Sequence, residues 1–278
     1  MKAKLRYTIF FSVMSSLCLS ACKPQSSQQW EVLQKEIQKA KSINDIQNLM
    51  ARRAMYHSIG HNELEFELWS KRDDIRWAQN QGCWIGRETI KTYYVDVNYQ
   101  MQAAQLKLMS ESNPAIDNDL KTNRYIGNNV WHLLTTPIIE VADDGESAKA
   151  FWYTPGVILA STDGLTAQGM HMWEKYFVDL IKEDGEWRFL HIQVATDWAA
   201  PLGQGLPQSN SNIAAVGSEG GAQQMGPGPG AEGLVIPPPT ISKVLYSEYS
   251  PTRRQHLTPR LPEPYSTFSD TFEYADCR

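Results

Sequence analysis

Apolar positions along this 278-residue chain change their period twice, and the changes mark out its elements. After Trp30, the residues Leu33, Ile37 and Ala40 recur at helical spacing. Ser42 with Asp45 has the form of a capping box, so a second helix is expected to start there. Its inner stripe would be Ile46, Leu49, Met50, Ala54 and Tyr56, with Gly60 at its end. Asn62 can cap a short helix over 63–69. Two short strands, 75–78 and 83–85, are expected to turn at Gln81-Gly82, and Gly86 opens a helix over 88–109.

From 130 onward the period becomes extended. Residues 130–141, 148–159, 168–182 and 186–196 read as strands, with hairpin turns at Asp143-Asp144-Gly145-Glu146 and Glu183-Asp184-Gly185-Glu186. Helices first and a meander afterwards predict an α+β fold, a curved antiparallel sheet wrapped around N-terminal helices. Residues 201–239 are rich in Gly, Pro, Ser and Gln and read as a linker. Residues 240–278 carry Leu245, Tyr246, Tyr249, Tyr265, Phe268, Phe272 and Tyr274, which suggests an extended strap lying on the domain or on a partner subunit.

The N-terminus changes the charge argument. Lys2, Lys4 and Arg6 precede an apolar run of about 13 residues ending at Leu19-Ser20-Ala21-Cys22. A positive start, a short apolar stretch and small residues at its end form a secretory signal over 1–21, too short for the about 20 residues that cross a hydrocarbon core. The cysteine placed directly after them resembles the bacterial lipoprotein box. That resemblance implies a lipid on Cys22, a tether and leading helix over 22–41, and membrane contact through the lipid alone. Lys23 in place of an aspartate implies, by the same resemblance, outer-membrane sorting facing the periplasm. Losing three positive residues takes the formal charge from −5 to −8, and no Lys/Arg-rich block favours nucleic acid. With Cys18 removed and Cys22 acylated, Cys83 and Cys277 are left. They either pair and staple the C-terminus to the domain, or stay as two separate thiols.

Three blocks carry a resemblance over 42–200. They are Met50-x-Arg52-x-x-x-Tyr56-His57-x-x-Gly60, then Gly82-x-x-x-Gly86-Arg87-Glu88-x-Ile90-x-x-Tyr93-Tyr94, and finally Trp173-x-x-Tyr176 with Lys182-x-Asp184-Gly185-x-Trp187-Arg188-Phe189-x-His191. In order and spacing they resemble the SnoaL-like branch of the nuclear-transport-factor-2-like superfamily, among the relatives of scytalone dehydratase. The resemblance implies a cone with an apolar pocket at one end.

Candidate chemistry centres on histidines. Tyr56 and His57 resemble the Tyr-Asp pair of the dehydratases, with His57 where the carboxylate would stand. Adjacent helical residues point roughly 100° apart, so only one of the two can be central to a pocket. His132 resembles a strand histidine of that family and would sit among Val130, Leu134 and Thr136, where burial keeps a base neutral. The family's second strand histidine has no counterpart at 154–157, so the full dehydratase apparatus is not carried over. By period 2, His191 shares with Trp187, Phe189 and Gln193 a face that either lines the cavity or packs on a subunit neighbour, and His191, Trp187, Phe189 and Trp131 are the candidates for the pocket wall. His171, Trp173 and Lys175 share a face read as solvent or interface. Glu174 and Asp197 are potential proton carriers that nothing local singles out. His57 and His61 have metal-ligand spacing, but Gly60 interrupts the helix and no third ligand is signalled, so no metal is expected. Proton transfer on an activated carbon needs no cofactor. The expected ligand is a small hydrophobic or carbonyl compound, undergoing dehydration, isomerisation or cyclisation. A pocket that only binds, or an assembly module forming a homo-oligomer through sheet face and strap, fits the same sequence.

Overall fold

The computed structural model describes residues 27–203, 233–254 and 257–278; the signal, Cys22 and most of 201–239 lie outside the described residues. Two compact units meet in sequence at Lys41 and Ser42. The described part of the first, 27–41, is helical. The second, Ser42–Arg278, contains every described strand.

Helix α1 spans Ser27–Ser58 without a break, so the new start expected at Ser42 is corrected. With no Gly or Pro near Ser42, extending a formed helix costs less than nucleating another, and a local capping signal cannot compete. Ser42 is instead buried on the face of Ile46, Leu49, Met50 and Arg53. Gly60, at φ +71°, ends the helical run. The short α2, Asn62–Phe66, follows, then the hairpin of β1 (Arg76–Gln79) and β2 (Gly82–Ile85). Helices α3 (Arg87–Lys91) and α4 (Val97–Ser112) are joined by a π-helical turn, Thr92–Asp96.

Two prolines cut the long strands expected from the pattern. Residues 130–141 form β3 (Asn129–His132) and β4 (Ile138–Val141), with Pro137 just before β4; residues 148–159 form β5 (Ser147–Tyr153) and β6 (Gly156–Ala160), with Pro155 between them. Proline has no N–H to give to a ladder, so pairing stops and the chain bends there. As a result β5 pairs with one half of β7 (Gln168–Glu183), and β6, with β3 outside it, pairs with the other half. The sheet thereby divides around a common central strand.

Strand β8 (Glu186–Pro201) pairs with β7 along its length through a turn in which Asp184 and Gly185 have φ +54° and +81°. Two left-handed positions in succession give the turn a twist that matches its flanking strands. β8 pairs with β1 in parallel, a departure from the all-antiparallel expectation. β1 and β8 lie far apart in sequence, so no hairpin sets their relative direction.

The helix face and the inner sheet face enclose a core that includes Ile46, Met50, Trp69, Trp84, Trp152, Val178 and Ile192. On the outer sheet face, Phe151, Phe177 and Ala195 pack with Tyr246 and Tyr274 of the C-terminal chain. The strap therefore lies on its own domain. Its approach is packed as well: Ile236 joins the core and Trp84 Nε1 donates to the Pro237 carbonyl at 3.0 Å, so the end of 201–239 is not a free linker. Strand β9, Ile241–Ser242, pairs with β2. Cys83 and Cys277 are joined as a disulfide, their Cα atoms 6.3 Å apart.

A Cβ at Gly185 would meet no atom within 4 Å, so Gly185→Ala isolates the backbone effect. The left-handed conformation should cost about 1 kcal/mol of stability, read as a lower denaturant midpoint at unchanged slope.

Candidate active site

A cavity of about 230 Å³ lies between α1, α4 and the inner sheet face, lined among others by Arg53, His57, Tyr94, His132, Glu174 and Tyr176. Its walls include Trp77, Val97, Val130, Ile158, Met170, Met172 and Val194, so the polar groups project into an apolar space.

Arg53 organises one side. It belongs to the buried stripe of α1, one turn after Leu49 and Met50, and is 1% exposed. Its Nε lies 2.8 Å from Glu65 Oε1, and its guanidinium sits 4.9 Å from the Tyr176 ring centre and 5.5 Å from that of Trp77. Burial works against both charges. Glu65 nevertheless holds Arg53 above its ordinary pKa, and Arg53 with His57 holds Glu65 below its own.

Tyr94 Oη donates to Glu65 at 2.8 Å, receives Arg53 Nη2 at 3.3 Å, and lies 2.9 Å from His57 Nδ1. Burial and the Glu65 charge raise the Tyr94 pKa, so its hydroxyl stays protonated. A hydroxyl has one proton. If that proton goes to Glu65, His57 Nδ1 must be the donor toward Tyr94, which assigns His57 the Nδ1–H tautomer and leaves Nε2 as its basic atom.

His132 stands across the cavity, its ring 5.1 Å from that of His57 and 5.7 Å from that of Tyr176. It is the last residue of β3, opposite Gly156, just before the chain bends away. Burial first, then the charges of His57 and Arg53, push its pKa well below the usual value, so His132 is a neutral base. Glu174 Oε2 lies 3.4 Å from His132 Nδ1, and Oε1 accepts from Thr196 Oγ1 at 2.9 Å. Burial raises Glu174 to about 7 against the opposing effects of Thr196 and Arg53. A neutral imidazole and a carboxyl near half-protonation at pH 7 form an acid–base pair.

The structure sorts the candidate residues. His57 and His132 line the cavity together. Tyr56 is not among its lining residues and packs part-buried against the main core, as the turn between adjacent helical positions requires. The proposed pocket wall is corrected at each position. Phe189 is wholly buried in the core, Trp187 joins it there, and Trp131 is 45% exposed because it neighbours the inward His132. His191 leaves the face of Trp187 and Phe189 because the β7–β8 register shifts: Asp179 pairs with His191 but Leu180 pairs with Phe189, so Leu190 is the extra residue of a bulge. His191 consequently lies on the outer face beside Asp179. His61 is outside the helix, held to Glu63 at 2.8 Å, and shares no helical face with His57. No metal-binding group of three ligands occurs among the described residues.

Sequence reasoning missed Arg53, Glu65 and Tyr94 as site residues and left Glu174 unassigned. Arg53 did leave a signal: a charged residue at i+3 and i+4 from Met50 and Leu49, on the apolar stripe. The site is thus a set of ionisable groups converging in an apolar cavity beneath the inner face of a curved sheet. The SnoaL-like domain family model matches residues 38–193, and the chain belongs to that family. Comparison with curated proteins gives no match. Among solved structures, the chain is similar to a putative scytalone dehydratase of Novosphingobium aromaticivorans (13% identity, 61% of this chain and 99% of that one, TM-score 0.42). It is also similar to a hexachlorocyclohexane dehydrochlorinase of Novosphingobium barchaimii (15% identity, 62% and 97%, TM-score 0.40).

Because Glu174 binds its proton more tightly folded than unfolded, its contribution favours the fold at low pH and becomes a cost as pH rises from about 4.5 toward 7. Full ionisation should cost roughly 3 kcal/mol at most. Glu174→Gln removes that cost, so it should gain stability relative to wild type between pH 5 and pH 8.5 in denaturant unfolding. An equal difference at both pH values would contradict the raised pKa.

Proposed function

We propose that this protein binds a small, uncharged, mainly apolar carbonyl compound and moves protons on it without a cofactor, in a dehydration, isomerisation or cyclisation. One observation carries the reading: His57, His132 and Glu174 converge in one apolar cavity, with burial holding His132 unprotonated and raising Glu174 to about 7. The buried charges of Arg53 and Glu65 neutralise each other, which favours an uncharged ligand over an ion. In this reading an imidazole takes the proton from the carbon beside the carbonyl, and Glu174 gives one to the oxygen, so the enol forms without a free enolate. Arg53, Glu65 and Tyr94 hold the His57 ring and its tautomer. The signal and the box ending at Cys22 support placing this chemistry in the cell envelope, on a lipid anchor.

The test is deuterium exchange into neutral cyclic ketones and enones, followed by mass spectrometry. Wild type should exchange the proton beside the carbonyl, and His132→Ala should lower kcat/KM by about 10²–10⁴-fold while the ligand still binds. Compounds that bind wild type tightly and never exchange would make this a binding protein and overturn the catalytic reading.

A further inference from the structure

The C-terminal chain is fastened at both ends on one residue. Ile241 pairs with Cys83 in the sheet, and Cys277 is bonded to the same Cys83. The stretch from Leu257 to Arg278 has one 3-10 turn, Phe268–Asp270, as its only regular structure, so contacts with the domain hold it in place.

Those contacts centre on a buried charge cluster on the outer sheet face. Lys149 of β5, Asp179 of β7 and His191 of β8 are 0%, 0% and 1% exposed. Lys149 Nζ donates to Asp179 Oδ1 at 2.6 Å; Asp179 Oδ2 accepts the Tyr274 backbone N–H at 2.7 Å and lies 2.9 Å from His191 Nδ1. Four rings of the strap enclose the Lys149 ammonium: Phe272 at 4.3 Å, Tyr274 at 4.9 Å, Phe268 at 5.5 Å and Tyr265 at 5.9 Å. A buried ammonium is tolerated only while a carboxylate and ring faces replace its water. The strap supplies the rings, and the cluster is buried because the strap covers it.

We infer that residues 257–278 form a removable cover, clasped by the Cys83–Cys277 bond, and that reducing this bond lifts the cover and bares Lys149, Asp179 and the apolar patch at Phe151 and Phe177. A dithiol is the reductant class. Its thiolate attacks the Cys277 sulfur and Cys83 leaves as a thiolate; the second thiol then displaces Cys277. The reductant departs as a cyclic disulfide, and its two protons end on Cys83 and Cys277. Cys83 is wholly buried, whereas Cys277 adjoins the exposed Arg278, so Cys277 is the sulfur that a small thiolate reaches first. With the clasp open, the end of the strap is held by Arg76–Glu273 at 2.6 Å, by the Tyr274–Asp179 bond and by Ala275 N–H to Gln193 Oε1 at 3.2 Å. Hydration of Lys149 and Asp179 competes with these contacts. The cavity is on the opposite face of β7, lined by Glu174 and Tyr176 while Phe177 and Asp179 face the strap, so the cover can lift without dismantling the cavity wall.

Acylation by an N-hydroxysuccinimide ester, followed residue by residue with mass spectrometry, tests this. In the oxidised protein Lys149 should react at least ~100-fold more slowly than the exposed Lys71. After dithiothreitol, or in Cys277→Ser, the two rates should come within about tenfold, while circular dichroism and slow amide exchange at Val178 report an intact sheet. Lys149 still protected after both thiols are shown to be free would overturn the inference. So would labelling of Lys149 only in step with loss of exchange protection at Val178. Neither outcome bears on proton transfer in the cavity.

Discussion

A guanidinium taken almost wholly out of water must be neutralised by its surroundings, and the site is arranged around that requirement at Arg53. Glu65 supplies the opposite charge, Tyr94 joins the carboxylate and the guanidinium, and the Tyr176 and Trp77 rings cover the cation's faces. Two of these groups, Tyr94 and Arg53, also act on the titratable residues of the cavity. Tyr94 orients His57, and the Arg53 charge disfavours a second positive charge on His132. The same charge pulls Glu174 toward ionisation, but burial outweighs it. Removing Arg53 alone would strand Glu65 and Tyr94, so its contribution to the fold and to the site cannot be separated.

The sheet contributes the second constraint. Pro137 and Pro155 stop two ladders and place His132 at the end of a short strand, where its side chain meets the cavity beside Glu174. The register shift around Leu190 turns the following stretch of β8 over, which sends His191 and Gln193 to the outer face and Val194 and Thr196 to the cavity. One strand pair thus serves two independent arrangements: acid–base groups inside, and a covered Lys149–Asp179–His191 cluster outside.

Much of the fold was legible in the chain. The change from period 3.6 to period 2, the Asp-Gly turns and the three blocks of the SnoaL-like resemblance placed helices before a meander and identified the family correctly. Prolines inside apparent strands were visible, yet the pattern of apolar residues ran past them and hid the breaks. The bulge at Leu190 has no local signature, because it is set by pairing with β7, and the pocket wall was misplaced for that reason. In the site, His57 and His132 stood out through the resemblance to the dehydratases, and His132 also as an imidazole on an apolar strand face. Glu65, Tyr94 and Glu174 did not, since what distinguishes each is a partner distant in sequence. Arg53 was readable from helical spacing alone.

His132 Nδ1 and Glu174 Oε2 lie 3.4 Å apart, and a proton at this pair has two places: on the carboxyl beside a neutral imidazole, or on the imidazole beside a carboxylate. The balance of burial and charge here selects the neutral pair. Infrared difference spectra between wild type and Glu174→Gln, with nitrogen NMR of labelled histidine, read both members at pH 5.5. The neutral pair gives a protonated-carboxyl band that is lost in the variant and titrates near pH 7, together with an uncharged His132. A carboxylate at Glu174 beside a protonated His132 at that pH would contradict it.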